Sequence, residues 1–368
     1  MPRVEPGYLR ELCDTKPPSE GEPWQQIFAD VEGVLMPGMT QWQSPHMHAY
    51  FPALNSWPSL LGDMLANSIN CINFSWAANP AGTELETLVL DWLAQLLAIP
   101  SKFRFDKSQS HGGGMILTTL SESTFLALLA ARKKAIFKFR ECNNDEVTPD
   151  AVINSKLIAY CSDQAHSSVE KACIVTFIEL RCLPCDAETF AMQADVLAQA
   201  IAEDRSKGKI PFFVCATLGT TGCCAFDNLE QIAPICCNQS LWLHVDAAYA
   251  GTSFVCPEFR YLMKGIEMAQ SFAFNPSKWM MVHFDCTAFW VENSHDLHNV
   301  FLQSPVYIND NVDWNSSSAS TCSGGKAVDY ENWHLPQSRR FRSLKLWLVI
   351  YSFKISFLSL TIFNLGLY

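Results

Sequence analysis

Asp246 and Lys278 are the residue types from which carbonyl–amine chemistry is built. Each stands at the end of a short apolar run, Leu241-Trp-Leu-His-Val245 before the aspartate and Ser271-Phe-Ala-Phe274 before the lysine. Both runs read as buried strands, with a helix's length of chain between them. A lysine half-buried at a strand end loses its proton more readily, because desolvation disfavours the ammonium, and the free amine can form a Schiff base. A buried aspartate nearby can keep a pyridine nitrogen protonated, which makes that ring an electron sink. The two residues are what a pyridoxal-phosphate site needs, although any α/β enzyme carries an Asp and a Lys at strand ends.

A phosphate would also need a cradle. His111-Gly-Gly-Gly-Met-Ile-Leu-Thr-Thr-Leu-Ser-Glu-Ser-Thr124 reads as a glycine-rich turn followed by hydroxyls at the mouth of a helix. Free amides and the positive end of a helix suit an anion there, and the same residues would equally serve as an ordinary Ser/Thr cap. His166, in Ser162-Asp-Gln-Ala-His-Ser-Ser168, follows a third apolar run at 156–161. Its ring could lie flat on a planar cofactor, or it could be a satisfied structural histidine.

The elements that must position these residues alternate along the chain. Leu85, Leu88, Val89, Trp92, Leu93 and Leu96 recur at helical spacing, which predicts a helix over 83–97. Further helices are expected at 121–134, 167–175, 195–207 and 228–237. Strands are expected at 156–161, 211–217, 241–245, 271–274 and 287–291. Continuous apolar strands separated by helices predict an α/β fold with a mostly parallel sheet covered on both faces, whose ligands sit at the carboxyl ends of the strands. Residues 1–60 are rich in Pro, Trp and Tyr; within them 43–52 reads as an aromatic, His-bearing loop or short strand.

Composition narrows the class. With 368 residues, 49% of them hydrophobic and only 17% charged, the chain can bury a large core and is not disordered throughout. A net charge of −11 with no basic stripe argues against a nucleic-acid partner. No apolar leader opens the sequence, so its 15 cysteines are expected as buried thiols in a reducing, cytoplasmic setting. Cys182-Leu-Pro-Cys185 lacks a second such pair or a histidine pair, so a structural role is expected and no metal.

The longer motifs resemble one family. Val4-Glu-Pro-Gly-Tyr-Leu-Arg10, Ser162-Asp-Gln-Ala-His-Ser-Ser-Val-Glu170, Ala216-Thr-Leu-Gly-Thr-Thr221, Leu243-His-Val-Asp-Ala-Ala-Tyr-Ala-Gly251, Asn275-Pro-Ser-Lys278 and Arg339-Arg-Phe-Arg-Ser343 are similar to those of group II pyridoxal-phosphate-dependent amino-acid decarboxylases. The likeness runs from about Val4 to Ile350. Gln43-Ser-Pro-His-Met-His-Ala-Tyr50, Ser56-Trp-Pro-Ser-Leu-Leu-Gly-Asp-Met-Leu65 and the Ser before Lys278 resemble the branch that acts on histidine. The resemblance implies a fold type I large domain, with a mostly parallel seven-stranded sheet flanked by helices, and pyridoxal 5'-phosphate as cofactor. It also implies a homodimer with shared active sites, an amino-acid substrate, and no nucleic-acid or membrane partner.

It further implies roles. Lys278 would carry the cofactor, and Asp246 would pair with its ring nitrogen. His166 and Ala248 would cover the two ring faces. Thr119, Leu120 through its backbone, Ser121, Asn275 and Ser277 would hold the phosphate, with Thr221 and Asp227 in support. Tyr50, Phe51 and Pro52 would line the substrate end, and Phe74 would enter from the neighbouring subunit. Ser338 would favour an imidazole over a catechol, and Tyr307 would protonate the carbanion.

The division expected is 1–55 as an N-terminal segment for dimerisation and the substrate pocket, 56–350 as the cofactor-binding domain, and 351–368 as an apolar tail unlike the family. A C-terminal small domain is expected to be absent. The tail from 346 is long enough to raise a membrane anchor, with an altered terminus the favoured reading. Three functions stay open: decarboxylation of histidine, decarboxylation of dopa or 5-hydroxytryptophan, and a silent truncated form that acts only as a dimer partner.

Overall fold

A computed structural model describes residues 2, 4–105, 111–301, 328 and 330–353. The chain forms two compact units, Met1–Ala53 and Leu54–Tyr368. In the first, helix Tyr8–Leu12 is followed by helix Trp24–Asp30, which continues into a wide turn at Val31–Leu35, and none of these elements buries a residue. Residues 43–52 are turns and bends, the loop form of the expectation.

The second unit is built on a seven-stranded sheet. Its strands are β1 (Gly113–Leu117), β2 (Leu157–Ser162), β3 (Glu179–Leu183), β4 (Ile210–Thr217), β5 (Trp242–Asp246), β6 (Ser271–Phe274) and β7 (Thr287–Val291), in the order β1-β7-β6-β5-β4-β2-β3. β7 runs antiparallel to both of its neighbours, and the other pairs are parallel. Side chains alternate between the faces along each strand. Ile158, Tyr160, Val214, Ala216, Leu243 and Val245 pack with helices Pro80–Leu97, Ala194–Ser206 and Leu229–Gln239. Leu157, Ala159, Cys161, Phe213 and Cys215 pack with Leu120–Asn143 and Ser168–Thr176. Burial on both faces is why these strands read as unbroken apolar runs.

Four expectations change. The glycines after His111 do not form a turn: Gly113 and Gly114 lie in buried β1. There a Cβ on Gly114 would stand 2.6 Å from Trp290 Cδ1, so close strand packing explains the residue type. β3 went unread because it is an edge strand whose burial is mixed. Helix Trp57–Ile69, capped by Ser56, also went unread, because it buries only Ser59 and Gly62 and turns its large apolar residues outward. Finally, the cysteines divide: six of those described are buried, but Cys13, Cys142, Cys182, Cys223, Cys224 and Cys237 are exposed.

The tail is described only to Phe353. Its described part includes helix Ser343–Ser352, packed against Trp57–Ile69 so closely that a Cβ on Gly62 would meet the Lys345 backbone. Among the described residues no helix is long and apolar enough to cross a membrane.

Candidate active site

Asp246 is the last residue of β5, and Lys278 lies in the single turn Pro276–Trp279 just after β6. The strands are adjacent, and the chain beyond their ends stays paired: Ala247 N donates to Ala273 O at 2.8 Å, and Asn275 N to Ala248 O at 3.2 Å. These bonds deliver the two side chains to one spot. Trp279 stacks on Tyr249, with ring centroids 5.4 Å apart, and donates to the Tyr249 carbonyl at 2.6 Å, which fixes the Lys278 turn from behind.

Asp246 is 2% exposed, and burial pushes its carboxyl above the ordinary range, opposed by the Ala248 amide, Lys278 and His166. Burial likewise lowers the Lys278 ammonium, and Asp246 pulls it back up. The two groups therefore feel each other in a water-poor setting where charge interactions are strong. Thr217 Oγ1, in register with Asp246 across β4 and β5, is buried without a hydrogen-bond partner among the described residues. Ser168 Oγ, just beyond His166, shares that condition. Unpartnered hydroxyls at the carboxyl ends of parallel strands fit a polar ligand seated there.

The cradle is built from two loops. Thr119 caps the 24-residue helix Leu120–Asn143, its hydroxyl accepting from Glu122 N, while Glu122 Oε2 accepts from both the amide and the hydroxyl of Thr118. Thr119 and Ser121 are exposed at this helix mouth, and Leu120 is buried. Thr287, at the start of β7, joins the two loops: its hydroxyl donates to Asn275 Oδ1 at 2.8 Å and lies 3.5 Å from Thr118 O. Thr287 thus ties the turn that carries Asn275 to the Thr118 carbonyl at the mouth of the helix. Sequence reasoning missed Thr287, since a threonine opening a strand carries no signal of its own.

His166 is exposed in the loop after β2, and its Nδ1 accepts from Ser168 N at 3.1 Å, which places its proton on Nε2. Ala248 is half-buried just beyond Asp246. Asp227 is 1% exposed and accepts from the amides of Thr217 and Met192, at 2.7 Å each, so it braces the end of β4; burial raises it to about 6. Thr221 is exposed in the turn after β4.

Tyr50, Phe51 and Pro52 belong to the Met1–Ala53 unit, where Tyr50 stacks on Trp42 at 5.6 Å. Phe74 is half-buried, and its carbonyl accepts from Glu331 N. Ser338 borders a surface groove with Asp63, Asn67 and Asn70. Tyr307 lies outside the described residues. No cluster of three metal-ligating side chains occurs among the described residues, Cys182 and Cys185 included.

Comparison with known proteins points to one family. The model for the pyridoxal-dependent decarboxylase conserved domain matches residues 6–360. Mouse histidine decarboxylase is 52% identical over 354 residues, covering 96% of this chain and 51% of that protein. Bovine aromatic-L-amino-acid decarboxylase is 50% identical over 349 residues, covering 95% of this chain and 69% of that protein. The chain thus spans about half the length of the curated histidine decarboxylases it matches. Among solved structures, an Oryza sativa TDC with pyridoxal phosphate and tryptamine superposes with a TM-score of 0.89 at 36% identity, over 98% of this chain and 70% of that one. Catharanthus roseus tryptophan decarboxylase with L-tryptophan gives 0.86 at 38% identity, over 98% and 71%. A fold type I sheet carrying a lysine–aspartate pair and an open helix mouth, matched along nearly its whole length, places the chain in the pyridoxal-dependent decarboxylase family.

Proposed function

We propose that this chain forms the cofactor-binding body of a decarboxylase that converts L-histidine to histamine and CO₂. The observation that carries the reading is the meeting of Lys278 and Asp246, each shifted by burial and each opposed by the other, beside an open helix mouth. Pyridoxal phosphate bound there supplies an aldehyde and a ring that withdraws electrons from the amino acid's Cα.

The chain's own residues do the rest. Lys278, with its ammonium disfavoured by burial, presents the amine. Asp246 is placed to hold a proton on the ring nitrogen. His166 and Ala248 cover the ring's faces. Thr119, Leu120 N, Ser121, Asn275 and Ser277 bind the phosphate, while Asp227 and Thr221 support the end of β4. Tyr50, Phe51, Pro52 and Ser338 form the substrate end, and Tyr307 gives the proton to Cα.

The mature site is shared between two copies, with Phe74 reaching the partner. In support, helix Trp57–Ile69 exposes Trp57, Leu61, Leu65 and Ile69, an apolar stripe at helical spacing that suits burial against a second chain. The cytoplasm is the compartment that fits its exposed thiols.

The aromatic-amino-acid reading has its own support in the 50% identity to bovine aromatic-L-amino-acid decarboxylase. Ser338 is expected to decide between them, because a hydroxyl can bond an imidazole nitrogen and crowds a catechol. The test is the visible absorbance of the purified chain with pyridoxal phosphate, with Lys278→Ala as control, followed by turnover of histidine against dopa. A long-wavelength band lost in the control, with histidine preferred, supports the reading. A folded chain with no band overturns it.

A further inference from the structure

The outer strands of the sheet carry a second cluster, unrelated to the lysine site. Cys161 in β2 and Cys182 in β3 are register partners in the parallel ladder, and Cys215 in β4 partners Cys161 from the other side. Register partners leave a sheet on the same face, so the three thiols form a row across the strands. The row runs from solvent to core: Cys182 is exposed on the edge strand, Cys161 is 2% exposed, and Cys215 is fully buried. The sulfurs of Cys161 and Cys182 are 3.9 Å apart.

That separation is close to bonding. A disulfide asks for Cα atoms roughly 4.4–6.8 Å apart and sulfurs at about 2.05 Å. Paired strands lie roughly 4.7–4.9 Å apart, so the Cα separation falls within that range, and a small approach of edge strand β3 with side-chain rotation would bring the sulfurs together. The other cysteine of the Cys182-Leu-Pro-Cys185 motif is engaged elsewhere. Cys185 shares a hydrogen bond with the Asp163 carboxylate and forms an isolated bridge with Met192. The spacing in sequence points to Cys185 as the partner of Cys182; the sheet register points to Cys161.

Accessibility orders the two thiols. An oxidant reaches Cys182 first, because it alone of the pair faces solvent. Burial raises the Cys161 thiol, with Cys182 the next contribution, so Cys161 stays protonated and inert until its neighbour is modified.

We propose that Cys182 and Cys161 form a reversible two-electron redox site, with Cys182 the sensing thiol and Cys161 the resolving one. Hydrogen peroxide oxidises the Cys182 thiol to a sulfenic acid as the O–O bond breaks and one water leaves. The Cys161 sulfur then displaces the hydroxyl group, forming the S–S bond, and the hydroxyl departs with the Cys161 proton as a second water. Two thiols and one peroxide give one disulfide and two waters, and a reducing thiol reverses the change. The product staples edge strand β3 to β2 immediately before the loop that carries His166.

The test treats the full chain with peroxide, denatures it, blocks remaining thiols with iodoacetamide and maps the peptides by mass spectrometry. The expected result is a linked pair of peptides containing Cys161 and Cys182, loss of alkylation at both, and recovery after dithiothreitol. Cys182→Ser should abolish the link and leave Cys161 fully alkylated, while Cys185→Ser should form the link undiminished. A link between Cys182 and Cys185 would overturn the proposal. So would Cys182 oxidised past the sulfenic acid while Cys161 remains a thiol. Neither variant disturbs a buried position, so folding does not confound the comparison.

Discussion

The ion pair between Glu86 and Arg339 offers the sharpest test of how this fold holds its cofactor cradle. Both side chains are essentially excluded from water, at 0% and 3% exposure. Arg339 grips Glu86 with both terminal nitrogens and also donates to the carbonyls of Ile116, at 2.9 Å, and Asn73, at 3.3 Å. Glu86 in turn accepts from Ile116 N at 2.8 Å and Asn73 Nδ2 at 3.2 Å, and Tyr330 lies under the guanidinium. Ile116 is in β1, which leads directly into Thr118 and Thr119. Glu86→Leu would leave a buried guanidinium uncompensated, a loss of about 3–5 kcal/mol. Against a typical total of about 5–15 kcal/mol, that is enough to populate unfolded chain at moderate temperature. Both variants leave the Ile116 amide and Asn73 Nδ2 without Glu86; adding Arg339→Met removes the stranded charge and deprives the carbonyls of Ile116 and Asn73 of one donor each, at about 1 kcal/mol apiece, less than the charge costs. The double variant should therefore be more stable than Glu86→Leu alone. Urea denaturation followed by fluorescence and circular dichroism measures both. A double variant no better than the single, or a single variant that loses under 1 kcal/mol by the same scale, would refute the reasoning.

Further outcomes follow from the same geometry. Thr287→Val keeps the shape but removes the bond to Asn275, about 1 kcal/mol, so pyridoxal phosphate should bind roughly fivefold more weakly; an unchanged affinity in a spectroscopic titration removes Thr287 from the cradle. Lys278 is lowered from 10.5 by burial and raised back by Asp246, so cofactor capture should increase with pH around a midpoint below that of an exposed lysine. Asp246→Asn should move the midpoint further down, and an upward move contradicts the pairing. His244 and His334 contribute to acid stability, both held near 3 by burial, His334 with Arg339 and Arg342 adding to the effect. Below about pH 6.5 the unfolded chain binds protons that these folded imidazoles refuse, so stability falls with falling pH by about 1.4 kcal/mol per unit for each histidine. Asp227 works in the opposite sense between about 6 and 3.8, where the folded chain takes the proton first. His334→Leu should flatten the slope of unfolding free energy against pH, and an unaltered slope would show that His334 titrates normally.

Much of this molecule is determined by sequence alone. The strands β2, β4, β5, β6 and β7 are legible because both faces of each are buried, which forces an unbroken apolar run of the right length. Asp246, Lys278 and His166 are legible because polar residues that end such runs must lie at the carboxyl rim. What the tertiary structure decided is who meets whom. Strand order places β5 beside β6, and hence Asp246 beside Lys278, although a whole helix-and-loop segment separates them in the chain. Thr287 ties the two halves of the cradle only because β7 inserts antiparallel between β1 and β6. Gly114 looked like a turn because a local pattern cannot show that Trp290 will occupy the space where its side chain would be. The pairing of Cys182 with Cys161 rather than Cys185 is likewise a matter of register, which hydrogen bonds between distant strands fix and local spacing does not.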